Sequence, residues 1–218
     1  MSWFDIFIGS SGSPVRTTGA LLAAYFAGCF ATGYYLVRWR AGQDIRDLGS
    51  GNIGARNAGR VLGSSGFLLT VAGDLLKGAL AVWMAILLTG NDRVALPALL
   101  AVVAGHMWPV QLRFHGGKGV STSLAGLLVC DIRLLLAYCM VFALGFVLLR
   151  RTVISGLLAY AALPLAAWFL HEDAAHVCGI SILAAVILIA HHKNMPEALN
   201  GLSRRAVTSK PDSSCKEL

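Results

Sequence analysis

Three polar stretches interrupt an otherwise apolar chain of 218 residues, and each carries residue types that could hold a phosphate. The first, residues 42–60, crowds Arg46, Ser50, Asn52, Asn57 and Arg60 around Gly49, Gly51 and Gly54. Glycine lets backbone N–H groups approach a ligand closely, and arginine presents a planar fork of donors. Together they form a receptor suited to anions, above all phosphate. A solvated loop with turn glycines is the plainer alternative. The second stretch, residues 105–122, contains the turn Gly116-Gly117-Lys118-Gly119 directly ahead of a helix whose first residues include Thr122. A helix N-terminus favours anions, and Lys118 adds a charge there. The third, His191-His192-Lys193-Asn194, closes an apolar run. His191 titrates in the range of a general base, or it can bind and orient a substrate while Asn194 assists. A histidine that merely caps a helix is the structural alternative.

Familiar phosphate and acyl-transfer motifs fail on context. Gly49-Ser50-Gly51-Asn52-Ile53-Gly54 matches G-x-G-x-x-G, with Asp74 downstream. A dinucleotide fingerprint needs a preceding strand in a βαβ unit, whereas an apolar span precedes this one. Gly117-Lys118 resembles a Walker A ending, but Gly119 stands where Ser or Thr is required. No G-x-S-x-G elbow occurs, which argues against a hydrolase triad. The H-x4-D pair of coenzyme-A-dependent glycerolipid acyltransferases is also missing.

Composition explains what must position these stretches. The chain is 56% hydrophobic and 13% charged, with mean hydropathy +0.68. Soluble domains carry about a quarter charged residues, so this is an all-α polytopic membrane protein. The net charge of +7 is then a matter of membrane sidedness, and no nucleic-acid partner is implied. The five cysteines show no CxxC spacing, so neither a disulfide framework nor a metal site is indicated.

Apolar runs are expected at residues 17–37, 66–88, 94–112, 120–130, 134–149, 153–170 and 177–190. Residues 120–130 are short for a span of roughly 30 Å and must pack on protein rather than lipid. Counting them gives about seven transmembrane helices. With the N-terminus outside, every Lys and Arg outside the spans except Arg16, Arg93 and Arg133 then shares the cytoplasmic face. Seven crossings also bring all three polar stretches to that face, where six would strand the third. Residues 1–202 read as a single membrane domain and residues 203–218 as a polar cytoplasmic tail without fixed structure. The N-terminus lacks the basic region of a cleaved signal peptide. Asp74 and Lys77, three residues apart within the second span, share a helix face. They form either a structural ion pair or part of a transport pathway.

Taken together, the polar stretches resemble the acyl-phosphate–glycerol-3-phosphate acyltransferases, the PlsY-type membrane enzymes of bacterial phospholipid synthesis. The resemblance spans about residues 20–201. It rests on D-I-R-x-x-G-S-G-N-I-G-A-x-N-x-x-R from Asp44 to Arg60, G-H-x-x-P-x-x-x-x-F-x-G-G-K-G-V-x-T from Gly105 to Thr122, and H-x-x-N at His191 and Asn194. Asp74-Leu75-Leu76-Lys77-Gly78 is also similar to the family's second span.

That resemblance implies a seven-span enzyme of the bacterial inner membrane with its C-terminus and active site on the cytoplasmic side. Its substrates would be acyl phosphate and glycerol 3-phosphate, its products lysophosphatidate and phosphate, with no cofactor and no metal. Catalytic roles fall on Ser50, Arg60, Lys118, His191 and Asn194. Phosphate-binding roles fall on Arg46, Gly49, Gly51, Asn52, Gly54, Asn57, Gly116, Gly117, Gly119 and Thr122. Membrane lipid surrounds such an enzyme, and a soluble acyl-phosphate synthase is the further partner it allows. His106 reads as structural, beside the helix-ending Pro109.

Two departures bear on the acceptor. Arg56 stands where the family usually has Thr, and the segment after Asn194, Met195-Pro196-Glu197-Ala198-Leu199-Asn200-Gly201, lacks the family's Arg. A transporter, or a related acyltransferase with another phosphorylated acceptor, is the competing reading.

Overall fold

A computed structural model of the chain describes residues 13–170 and 173–192, and all regular structure among them is helical. The helices are α1 (Pro14–Cys29), α2 (Thr32–Ala41), α3 (Ala55–Thr89), α4 (Ala95–Met107), α5 (Val120–Cys130), α6 (Ile132–Leu149), α7 (Thr152–Leu170) and α8 (Ala174–His191). Among the described residues, six segments are long and apolar enough to cross a membrane: Pro14–Ala41, Ala55–Thr89, Asp92–Leu112, Ile132–Leu149, Thr152–Leu170 and Ala174–His191. The short helix α5 supplies the seventh apolar element. Its 11 residues rise only about 16 Å. It packs on protein, with Gly78 of α3 pressed against the Thr122 backbone and Gly126 against Leu99 and Val82. Asn194 and the tail at 203–218 lie outside the described residues.

The first crossing is two helices, not the single run expected over 17–37. The chain is extended at Phe30 and non-helical at Ala31, then coils again from Thr32 to a left-handed Gly42. A break exposes backbone carbonyls that hydrocarbon cannot satisfy. Here side chains satisfy them: the Phe30 carbonyl accepts from Lys77 Nζ at 2.7 Å, and the Cys29 carbonyl accepts from Gln111 Nε2. The second crossing is longer than the expected 66–88. It begins at Ala55 and continues through a kink at Gly63, whose φ of 71° and ψ of −162° suit glycine alone.

Close backbone approach at small residues holds the bundle, as expected where lipid removes the hydrophobic drive between helices. A Cβ on Gly28 of α1 would collide with the Val102 carbonyl of α4, and one on Gly105 with the Tyr25 carbonyl. Helix α4 is the centre, since 61% of its span is buried against 11% for α6. Accordingly α6 turns Leu136, Met140 and Leu144 outward at a four-residue period. Leu99, Val102, Leu127, Leu163, Ile180, Leu183 and Ile187 fill the interior. A smaller cluster of Val37, Ile45, Ile53, Ala58 and Leu112 supports the first polar loop.

Inside the bundle, Lys77 Nζ lies 2.9 Å from Asp74 Oδ1 and 2.8 Å from His106 Nδ1. With the Phe30 carbonyl, these occupy the three donors of the ammonium group. Thr32 Oγ1 donates to Asp74 Oδ1 at 3.1 Å. All three ionisable groups are buried and mutually satisfied, so the structural reading of the pair holds here.

Candidate active site

The loop between α2 and α3 is folded by its own side chains. Asp44 accepts from the Arg46 amide at 2.9 Å and caps a short 3₁₀ turn, Ile45–Asp47. Its carboxylate also takes the Arg46 guanidinium in a fork, Nη2 to Oδ2 at 2.6 Å and Nε to Oδ1 at 3.0 Å. The hydrogen-bonded guanidinium holds the Asp44 carboxyl below its ordinary range, and the carboxylate in turn raises Arg46. Arg46 also donates to the Leu112 carbonyl at 3.2 Å and lies over the Tyr34 ring. Its charge is therefore matched by Asp44. The side chain ties the first polar loop to the second, where the sequence suggested a helper cation for phosphate.

Asn57 is likewise a loop builder. Buried at the start of α3, it donates from Nδ2 to the carbonyls of Ile45 at 3.1 Å and Leu48 at 2.8 Å. Its Oδ1 accepts from the Ser50 amide at 2.9 Å. Asn52 folds back on Gly54 through a 2.9 Å bond, and Gly51 donates to the Leu48 carbonyl. Gly49 and Gly51 have positive φ, and a Cβ on Gly49 would strike Asn57 Oδ1. These internal bonds leave Ser50 exposed on the loop. Arg60 lies one turn beyond Asn57, exposed, with no hydrogen bond or ion pair among the described residues.

The second loop follows α4 and a 3₁₀ turn, Val110–Leu112. The Gly116 amide donates to the Met107 carbonyl at 3.1 Å and the Gly117 amide to the His106 carbonyl at 3.0 Å. These two amides are spent on the loop, in contrast to the expected phosphate donors. What the glycines provide is closeness: a Cβ on Gly117 would sit 2.1 Å from His106 Nε2. The loop thus rests directly on the buried Asp74–Lys77–His106 cluster. Gly119, at φ 80°, turns the chain into α5, whose first-turn amides begin at Val120. Lys118 is half-buried at this turn. Thr122 is fully buried, and its Oγ1 has no hydrogen-bond partner among the described residues.

His191 is the last residue of α8 and half-buried. Its Nδ1 lies 2.8 Å from the Ile187 carbonyl, which fixes the proton on that nitrogen and turns Nε2 into the acceptor. The charges of Lys118 and Arg56 both act on its ring. Arg56 itself reaches across to α7, donating from Nη2 to Thr152 Oγ1 at 3.0 Å. Ser50, Arg56, Arg60, Lys118, Thr122 and His191 thus come from two loops and three helices toward one end of the bundle. Arg56 enters here from a position that the sequence marked only as a departure.

Comparisons with known proteins agree over most of the chain. A family profile described as Glycerol-3-phosphate acyltransferase matches residues 18–201. The chain is 45% identical over 186 residues to glycerol-3-phosphate acyltransferase 1 of Desulfitobacterium hafniense, covering 85% of this chain and 92% of that one. It is 41% identical over 187 residues to glycerol-3-phosphate acyltransferase of Syntrophotalea carbinolica, covering 85% and 95%. Among solved structures it resembles PlsY (YgiH), an integral membrane glycerol 3-phosphate acyltransferase, in its glycerol 3-phosphate form. That likeness has a TM-score of 0.75 at 28% identity, over 85% of this chain and 92% of that one. The chain belongs to the glycerol-3-phosphate acyltransferase family of integral membrane enzymes.

Proposed function

We propose that this acyltransferase takes its acyl group from acyl phosphate and delivers it to the 1-hydroxyl of glycerol 3-phosphate, giving lysophosphatidate and inorganic phosphate. The observation that carries this reading is the convergence of basic side chains on His191 at the end of an apolar bundle. Lys118 and Arg56 act on its ring, and Arg56 shares a groove with Arg60. Two phosphate-bearing substrates need such a concentration of positive charge beside a membrane.

The acceptor hydroxyl oxygen attacks the acyl carbonyl carbon, and the bond from that carbon to the phosphate oxygen breaks. Phosphate leaves with the bonding electrons. Acyl phosphate is already activated, so positioning and charge stabilisation supply most of the catalysis. Lys118, Ser50, Arg60 and the N-terminus of α5 serve that purpose, with Thr122 Oγ1 available as a further donor. His191, with Asn194 following it, orients the acceptor by accepting at Nε2 from a glycerol hydroxyl, and a substrate phosphate oxygen takes the proton of the attacking hydroxyl. The preponderance of Lys and Arg on the loops at this end supports a cytoplasmic active site in the bacterial inner membrane, with the N-terminus outside. A soluble acyl-phosphate synthase would then deliver the donor to the same face.

The test is acyl transfer to radiolabelled glycerol 3-phosphate by purified protein in lipid. Palmitoyl phosphate and palmitoyl-coenzyme A are offered in parallel, without added metal. Lysophosphatidate from palmitoyl phosphate alone is expected; product from the thioester alone would overturn the donor assignment.

A further inference from the structure

Lys118 stands between two glycines that lie against the last turns of α4. The Gly116 and Gly117 amides donate to the Met107 and His106 carbonyls, and a Cβ on Gly119 would meet Val103 and Met107. Val103, His106 and Met107 share one face of α4 at three- and four-residue spacing. The obstacles at Gly116 and Gly117 differ in kind. A Cβ on Gly116 would strike the backbone carbonyls of His106 and Met107. On Gly117 the three nearest atoms would be Nε2, Cε1 and Cδ2 of the His106 ring, all side chain. Only the second obstacle can be removed by substituting the residue that makes it.

The ring is held from the other side. His106 is buried, and its Nδ1 lies 2.8 Å from Lys77 Nζ. An ammonium group can only donate, so Nδ1 accepts and the ring proton sits on Nε2, at the edge turned toward Gly117. Lys77 is set in turn by Asp74 at 2.9 Å and by the Phe30 carbonyl, and Asp74 by the Thr32 hydroxyl. A continuous line of contacts therefore runs from α2 through α3 and α4 to the turn that carries Lys118.

We infer that His106 is a positioning residue for Lys118: its ring, oriented by Lys77, sets how close the Gly116–Gly119 turn lies to α4 and so where the Lys118 ammonium meets the reacting phosphate. This rests on the role proposed for Lys118. Glycine at 117 is then demanded by the imidazole beneath it, since its amide is already bonded to the His106 carbonyl. A charge that stabilises a transition state acts through its placement, and a shift of about 1 Å at a supporting residue can cost about a hundredfold in rate.

The experiment uses the full chain in phosphatidylcholine nanodiscs. Whichever of palmitoyl phosphate and palmitoyl-coenzyme A serves the wild-type protein is the donor, and rates are taken per folded protein well below every Tm. Gly117→Ala is expected to lower kcat by about a hundredfold, because its Cβ and the ring cannot both stay in place. His106→Asn keeps an acceptor near the Nδ1 position for Lys77 and deletes the far edge of the ring. It should lose about tenfold in kcat, with KM for glycerol 3-phosphate within about twofold. Introduced into the His106→Asn background, Gly117→Ala should cost less than about threefold further, a rescue relative to Gly117→Ala alone. Gly116→Ala should be equally damaging in both backgrounds, since backbone blocks it.

A Gly117→Ala loss that is the same in both backgrounds would overturn the inference and make that glycine a requirement of the ligand. Rescue of Gly116→Ala as well would also overturn it, by showing general loosening of the loop. So would a His106→Asn protein that has lost Tm but turns over like wild type once folded, which would leave the ring a packing element only. Near-normal activity of Lys118→Ala would sink the phosphate-site reading itself and the positioning role with it, whereas a failed rescue sinks the positioning role alone.

Discussion

Replacing Lys77 with methionine removes one group and takes a partner from three others, leaving Asp74 with only the neutral Thr32 hydroxyl as a donor. Asp74 Oδ1 loses a cation at 2.9 Å, the Phe30 carbonyl loses its donor at 2.7 Å, and His106 Nδ1 loses one at 2.8 Å. Methionine fills much the same volume, so the effect is electrostatic more than steric. Breaking a buried ion pair by removing one partner costs about 3–5 kcal/mol, because the other charge stays uncompensated. For a chain of this size that corresponds to a fall in Tm on the order of 10 °C. The double replacement Asp74→Asn with Lys77→Met removes both charges and should recover more than half of the loss, since the desolvation of two ions is also removed. Thermal unfolding of these two variants and of Asp74→Asn alone, purified in one detergent and followed by tryptophan fluorescence, measures all three changes. A Lys77→Met protein within about 1 kcal/mol of wild type, or a double variant worse than either single one, would refute the claim that this cluster is a closed, mutually satisfied network.

Lys118→Ala and Arg60→Ala should each abolish turnover, by two orders of magnitude or more, in protein that is folded and inserted. Near-normal specific activity of either would remove that residue from the phosphate site. His191→Ala should raise KM for glycerol 3-phosphate with a modest loss in kcat; a large kcat loss at unchanged KM would instead make His191 the proton acceptor. The Asp44–Arg46 fork carries a pH signature. Because Asp44 is held below its ordinary range in the folded loop, its stabilisation is present above the usual carboxylate pKa and is lost as pH falls through and below that range. Asp44→Asn should therefore flatten the acid limb of a stability-against-pH profile, and an unchanged limb would count against the clamp.

Much of the architecture was legible because apolar runs and basic loops obey the bilayer. The short helix over 120–130 could be placed by charge and by the need to bring the three polar stretches to one face, and it does pack on protein. Boundaries failed where side chains substitute for helical hydrogen bonds. Nothing in residues 17–37 signals a break at Phe30, since the side chains that make it tolerable, Lys77 and Gln111, lie 47 and 82 residues downstream. The residue types of the first motif suggest an anion receptor, yet they did not reveal which of its polar residues face inward. Asn57 and Arg46 have the same donor groups as residues that meet a ligand, and only tertiary contact shows their donors already taken. The spacing of Asp44 and Arg46 was the one available sign, since an acid two residues before an amide is a turn cap. Arg56 could be seen as unusual in sequence, while its groove depends on the Gly63 kink.

The spacing of Asp74 and Lys77 on one helix also bears on how the chain enters its membrane. An acid and a base three residues apart can neutralise each other inside the nascent helix, before any neighbour arrives. The segment then partitions as a nearly uncharged hairpin arm, with much of the cost of two intramembrane ions removed at the outset. What remains unsatisfied on Lys77 is complementary to groups emerging on either side of it in time. Phe30 and Thr32 have already left the ribosome, and His106 follows. The cluster can therefore be completed in the order of synthesis, and the last group to join, His106, is the one on which the Lys118 loop is then laid.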